Sequence, residues 1–227
     1  MSRERSLAKN TIIISIGNIC TKLITFLLLP LYTGVLSTAE YGTVDLLNTL
    51  ISLLVPIITF QVEQAVFRDL IEVRENQKEQ KNIISSSIVS VILQCIVFVF
   101  FYFIITEFVN NNYRIYLMIN IIAYIFASLF LQMARGLGNN KQYAIGSFIS
   151  ASSTIFFNVI FLVVFKFKVE GMLLGTFLGQ IISAIYLMFV LKLYKLFSVR
   201  YISTKVVLKF WKYSLPLVPN AISWWVL

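Results

Sequence analysis

Lys22 lies near the middle of an uncharged apolar run of 26 residues, Thr11 to Leu36. A charge at mid-bilayer costs roughly 2.5–3.5 kcal/mol on insertion scales, so it faces protein or water rather than lipid. Its helical neighbours are polar as well. Thr11, Ser15, Asn18, Lys22 and Thr25 step by four, three, four and three residues. At about 100° per residue they fall within an arc of about 80°. A cation on a wet stripe inside a membrane can hold an anion. A second stripe follows, with Asp45, Ser52, Pro56, Thr59 and Glu63 on one face and Asn48 and Thr49 beside it. Pro56 frees the carbonyl of Ser52, and Pro30 frees that of Phe26. Freed carbonyls need partners in protein or water.

Weaker stripes recur downstream: Ser87, Ser90 and Gln94; Asn120, Tyr124, Ser128 and Arg135; Ser147, Ser150, Thr154 and Asn158. The bland reading of these residues is helix-to-helix adhesion, at about 0.6 kcal/mol each. A purely structural Lys22–Glu63 or Lys22–Asp45 pair is the corresponding alternative for the charges. Asp45 and Glu63 could also reach their nearer interfaces, and topology alone would explain Arg68 and Arg135. The candidate cavity residues are therefore Asn18, Lys22, Thr25, Asp45, Ser52, Thr59, Glu63, Asn120, Tyr124 and Arg135.

The elements that must position them are membrane helices. Of 227 residues, 59% are hydrophobic and 13% charged, and the mean hydropathy is +0.85. Soluble domains carry about 25% charged residues. Barrel-like alternation is absent, so the fold is all-α. Six complete transmembrane helices are expected at roughly 11–36, 43–67, 83–106, 114–134, 144–165 and 171–191. They form one lobe over 11–191 after a cytoplasmic N-terminus at 1–10. A cytoplasmic linker at 192–214 follows, and 215–227 reads as the start of a truncated seventh span in a longer transporter.

Fifteen Lys and Arg fall at the N-terminus and in the connections at 68–82, 135–143 and 192–214, against three in the alternate loops. The positive-inside rule places the N-terminus in the cytoplasm. The net charge of +9 is thus a topology signal and not a nucleic-acid footprint. The loop 68–82 balances four acids against four cations and reads as a solvated helical extension. In 203–214, Lys205, Lys209 and Lys212 share one face, and Val206, Val207, Phe210 and Trp211 another. Ser203 or Thr204 could cap such a helix. It reads as an amphipathic helix on the inner leaflet, with a stop-transfer flank as the plainer alternative.

Gly171, Gly175 and Gly179 form a GxxxGxxxG ridge that lets another helix approach closely. Gly136-Leu137-Gly138 is a turn, not a nucleotide loop. Cys20 and Cys95 both lie inside spans, and histidine is absent. No HExxH, GxSxG or Walker A sequence occurs, so neither an enzyme nor a metal site is expected. No cofactor is expected; a coupling ion would be H+ or Na+.

These features together resemble the polysaccharide flippases of the multidrug/oligosaccharidyl-lipid/polysaccharide exporter (MOP) superfamily. The resemblance is carried by Asn10 to Leu70, including the Tyr41-Gly42 pair and "EQAVFRDL", and by "YSLPLVPN" from Tyr213 to Asn220. It implies two six-helix lobes around a central cavity, joined by an amphipathic helix that 203–214 would match. It implies a lipid-linked oligosaccharide as substrate, carried across a plasma membrane by alternating access, with membrane lipids as surroundings and a second lobe as partner. Lys22 would counter the diphosphate and the Ser, Thr, Asn and Tyr stripes would meet the sugars. A drug or cation antiporter of the same superfamily is the alternative, resting on Asp45 and Glu63. A membrane glycosyltransferase and an assembly subunit without a cavity fit less well.

Overall fold

The computed structural model describes residues 29–106 and 112–226, with side chains to residue 223. Every element assigned among them is helical. α1 covers residues 29–35. It is followed by α2 (Thr38–Thr59), α3 (Val62–Glu72), α4 (Gln77–Thr106), α5 (Arg114–Gly136) and α6 (Asn140–Val159). A π-helical turn, Ile160–Val164, extends α6. Then come α7 (Lys168–Val190), the short α8 (Leu193–Leu196), α9 (Thr204–Ser214) and α10 (Leu217–Val226).

Five stretches among the described residues are long and apolar enough to cross a membrane: Thr38–Thr59, Gln77–Ile105, Arg114–Gly136, Asn140–Val164 and Lys168–Val190. The chain is a multi-pass membrane protein. The expected span at 11–36 is described only from residue 29 onward.

α2 starts at a capping box. Ser37 Oγ accepts from the Glu40 amide at 3.3 Å, and the Glu40 carboxylate accepts from the Ser37 amide at 2.8 Å. Lys168, opening α7, pairs with Glu40 at 2.7 Å. The two helices therefore start at the same end of the bundle.

The expected span at 43–67 is not one helix. Pro56 sits inside α2, and the break comes later, where Phe60 (φ 50°) and Gln61 (φ 56°) are both left-handed. Each such residue costs on the order of 1–2 kcal/mol. Hydrogen bonds offset the cost: Thr59 Oγ1 accepts from the Gln61 amide at 3.2 Å, and the Gln94 amide of α4 donates to the Thr59 carbonyl at 3.0 Å. Neither Phe nor Gln is a usual left-handed residue, so the sequence carried no signal for this break.

α5 is the centre of the bundle, packed against α2, α3, α4, α6 and α7. Its Ile121, Ala123, Leu129, Met133 and Ala134 are buried. α6 and α7 pair closely because α7 presents its glycine ridge. A Cβ at Gly175 would strike Asn158, and one at Gly179 would strike Thr154 and the Ser150 carbonyl. Ser183 adds a hydrogen bond to the Gly146 carbonyl at 2.8 Å. Gly138 (φ +82°) makes the left-handed turn from α5 to α6, while the Arg74 guanidinium caps the end of α5 by donating to the Gly136 carbonyl at 2.8 Å.

One expectation about the charged segments needs correction, and the structure adds detail to another. α3 ends at Glu72 and α4 begins at Gln77, so 68–82 is largely helical, but it is not all solvated. The Asp69 side chain is only 3% exposed and pairs with Arg68 at 2.7 Å and Lys209 at 2.9 Å. Part of the apolar face of α9 packs on protein, while Val206 and Val207 stay half-buried. Phe210 is fully buried, Trp211 lies edge-on to Phe60 at 5.9 Å, and the indole N–H donates to Ser90 Oγ at 3.1 Å. Neither Ser203 nor Thr204 caps the helix with its side chain. Instead, buried serines of α4 receive the incoming chain. Ser85 Oγ accepts from the Ser198 amide at 2.9 Å and Ser86 Oγ from the Ser203 amide at 3.0 Å. The segment that leads into α9, and its N-cap amide, are thus fastened to the lobe.

Candidate functional site

A cavity of about 650 Å³ opens between α1, α2, α5, α6 and α7. Each helix contributes one face. α2 supplies Tyr41, Val44, Asp45 and Asn48; α5 supplies Tyr124, Ser128, Leu131 and Gln132. α6 supplies Tyr143, Ser147, Ser150, Ala151, Thr154, Ile155 and Asn158; α7 supplies Met172, Thr176 and Gln180; Leu29 and Tyr32 come from α1. The spacings of three, four, seven and eight residues are those of single helix faces. From Tyr143 to Asn158 the lining runs about 22 Å along α6 at 1.5 Å per residue.

The lining is chemically narrow. It holds four tyrosines, four carboxamides, five hydroxyl residues and one carboxylate, Asp45. Asp45 is exposed to the cavity, and among the described residues it has no hydrogen-bond or ion-pair partner. Asn158 is the fixed point of the wall. Its amide nitrogen, turned toward the Thr154 and Met172 carbonyls at 3.3 and 3.2 Å, leaves its oxygen to accept from the Tyr32 hydroxyl at 3.2 Å. At the far end, the Tyr186 hydroxyl donates to Gln142 at 2.6 Å.

Of the residues singled out from sequence, Asp45 and Tyr124 line this cavity, as do Asn48, Ser128, Ser147, Ser150, Thr154 and Asn158 from the flanking stripes. Ser52 and Thr59 lie further along α2. Their hydroxyls donate to the Thr49 carbonyl at 2.9 Å and the Val55 carbonyl at 3.0 Å. Glu63 is buried in the first turn of α3. Asn120 bridges α5 to α7, donating to the Tyr116 and Leu173 carbonyls at 2.8 and 3.0 Å. Arg135 stands behind the cavity wall. Its guanidinium lies 4.5 Å from the Phe67 ring and 5.3 Å from that of Tyr143, and donates to Gln132 at 3.1 Å. Asn18, Lys22 and Thr25 lie outside the described residues.

Sequence reasoning passed over Tyr32, Tyr41, Gln132, Tyr143, Thr176 and Gln180. A signal existed for the last two. Met172, Thr176 and Gln180 form the column next to the Gly171, Gly175, Gly179 ridge. The close approach the glycines permit is what carries that column to the cavity edge. Tyr32, Tyr41 and Tyr143 sit where interfacial tyrosines are common, so their type alone marked nothing.

Among curated proteins none matches the chain significantly. Two solved structures share its fold. One is an outward-facing conformation of a multidrug resistance MATE family transporter of the MOP superfamily, with a TM-score of 0.73 and 14% identity. The other is a MOP superfamily transporter from Pyrococcus furiosus, described as having a binding pocket of reverse polarity, with a TM-score of 0.68 and 14% identity. Each alignment covers 95% of this chain and 53% of the other, so the chain spans about half the length of those transporters. The family model described as "Polysaccharide biosynthesis protein" matches residues 7–227, and the chain belongs to that family.

Proposed function

We propose that this chain forms one lobe of a flippase that moves polyprenyl-diphosphate-linked oligosaccharide from the inner to the outer leaflet by alternating access. It would sit in the plasma membrane with its N-terminus in the cytoplasm, facing a second lobe. The observation that carries the reading is the cavity lining in a polysaccharide-family chain. Tyrosine rings offer flat apolar faces for the C–H faces of sugars. Carboxamides and hydroxyls offer both donors and acceptors for sugar hydroxyls. Lys22, from its place in the sequence, is the residue proposed to counter the diphosphate as a point charge. H+ or Na+ would supply the coupling.

The test is reconstitution. Proteoliposomes bearing the protein and a fluorescent polyprenyl-diphosphate oligosaccharide should expose the glycan to an impermeant quencher faster than protein-free vesicles. Lys22→Gln should slow this and Lys22→Arg should retain more of it. Equal rates with and without protein would sink the reading. One observation favours a second reading, a cation or drug antiporter: Asp45 is a carboxylate on the cavity wall with no ion-pair partner among the described residues. Proton- or sodium-driven uptake of a cationic dye, abolished by Asp45→Asn, with no glycan flipping would select it.

A further inference from the structure

Asp45 is the one carboxylate among the described residues of the cavity, and no Lys or Arg is among them; Lys22, proposed above for the diphosphate, lies outside the described residues. It lies on α2 one turn past Tyr41, about 10 Å from the helix start at 1.5 Å per residue. Asn48 and Tyr41 flank it on the same face. A carboxylate at membrane depth without a protein partner is costly unless water or a ligand satisfies it. Ionised, it only accepts hydrogen bonds, through two oxygens with about four lone-pair sites. A vicinal diol matches it by donating twice, and an ammonium group matches it in charge as well. A second carboxylate brings nothing to donate and the same sign of charge. The arginine behind the wall does not relieve this, because Arg135 is stacked between Phe67 and Tyr143 and bonded to Gln132.

Resting on the flippase reading, we propose that Asp45 makes this cavity a charge filter for the glycan: it takes neutral or amine-bearing sugars and excludes uronates. Tyr41, Tyr124 and Tyr143 supply sugar-stacking faces, Asn48 and Gln180 supply adaptable hydrogen bonds, and Asp45 sets the sign of the charge that the glycan meets, Lys22 being assigned to the diphosphate.

The test is binding, separate from transport. The protein in nanodiscs is titrated with a neutral hexose disaccharide and with the same disaccharide oxidised at C6 of its non-reducing sugar, read by saturation-transfer NMR. The neutral sugar should bind about tenfold more tightly at low salt, a ratio that like charges at such range readily produce. The ratio should shrink at about 0.5 M salt, where screening is strong. Asp45→Asn should bring the two sugars to within about twofold, or about 0.4 kcal/mol. The salt series on the unaltered protein carries the test if the variant does not fold. Equal binding of both sugars, or a ratio indifferent to salt, overturns the charge filter and leaves the flippase reading standing. Binding of neither sugar overturns both, and a preference for the uronate, with or without Asp45→Asn, overturns the charge filter alone.

Discussion

Tyr32 and Asn158 are 126 residues apart in the chain, and their side chains meet at 3.2 Å at the edge of the cavity. Both are nearly buried, at 7% and 3% exposure. Asn158 also faces the Gly175 position of α7. One carboxamide therefore ties α1, α6 and α7 together at the cavity wall.

That junction should behave as a unit. Asn158→Ala should lower stability by about 1 kcal/mol, the net value of a buried hydrogen bond. For a chain of this size that is about 2–4 °C in the unfolding midpoint. Tyr32→Phe should cost less. In a double-mutant cycle followed by thermal unfolding in detergent, the pair should show coupling of about 0.5 kcal/mol or more. Simple additivity would mean that the two side chains do not act on each other.

The glycine ridge should be intolerant at Gly175 and Gly179, in contrast to the open glycines of α1 and α2. Gly175→Ala and Gly179→Ala would each drive a methyl into α6, at a cost of about 1–3 kcal/mol for overpacking. At Gly34 and Gly42 a Cβ meets nothing within 4 Å, and alanine is the better helix former, so alanine there should not lower the midpoint. Fluorescence-detected size exclusion after heating distinguishes the two sets, and equal midpoints for all four variants would refute the packing role.

The α9 clamp should depend on Asp69 more than on Lys209. Asp69 is the buried acid between two partly exposed cations, so removing it leaves both cations without their shared partner. Lys209→Met removes one exposed partner and should cost under about 1 kcal/mol. Hydrogen exchange of residues 204–214 should accelerate clearly in Asp69→Ala and little in Lys209→Met. Ser90→Ala, which removes the acceptor for Trp211, should fall between them. Unchanged exchange in Asp69→Ala would show that the ion pair does not hold α9.

Water should reach the cavity stripe and not the outward apolar faces. In a background lacking Cys20 and Cys95, single cysteines at Asn48, Thr176 and Gln180 should react with a small water-soluble thiol reagent. Cysteines at Ile96 and Phe100, exposed on α4, should react far more slowly because lipid covers them. Similar rates at both sets would argue against a wet cavity.

Much of this arrangement was legible in the residues. Mean hydropathy and helix-length apolar runs fixed an all-helical membrane chain, since every backbone group in lipid must be satisfied within the segment. The stripes at Asp45 and Asn48, at Tyr124 and Ser128, and from Ser147 to Asn158 showed which helix faces are polar, because helical periodicity is written directly into spacing. The glycines of α7 showed which face packs.

Tertiary structure alone decided which polar faces meet. Ser52 and Thr59 share a stripe with Asp45, yet their hydroxyls bond their own helix, and the left-handed pair Phe60–Gln61 ends that helix just beyond them. Ser87, Ser90 and Gln94 read as a weaker stripe that could line a cavity or join helices, and Ser90 and Gln94 serve Trp211 and the broken end of α2. Asp69 looked like one charge in a balanced loop until Lys209, far along the chain, closed over it. Periodicity reports that a face is polar. Whether that polarity is spent on a neighbouring helix, a freed carbonyl or a solvent-filled cavity depends on contacts between residues distant in sequence, and those exist only once the helices have packed.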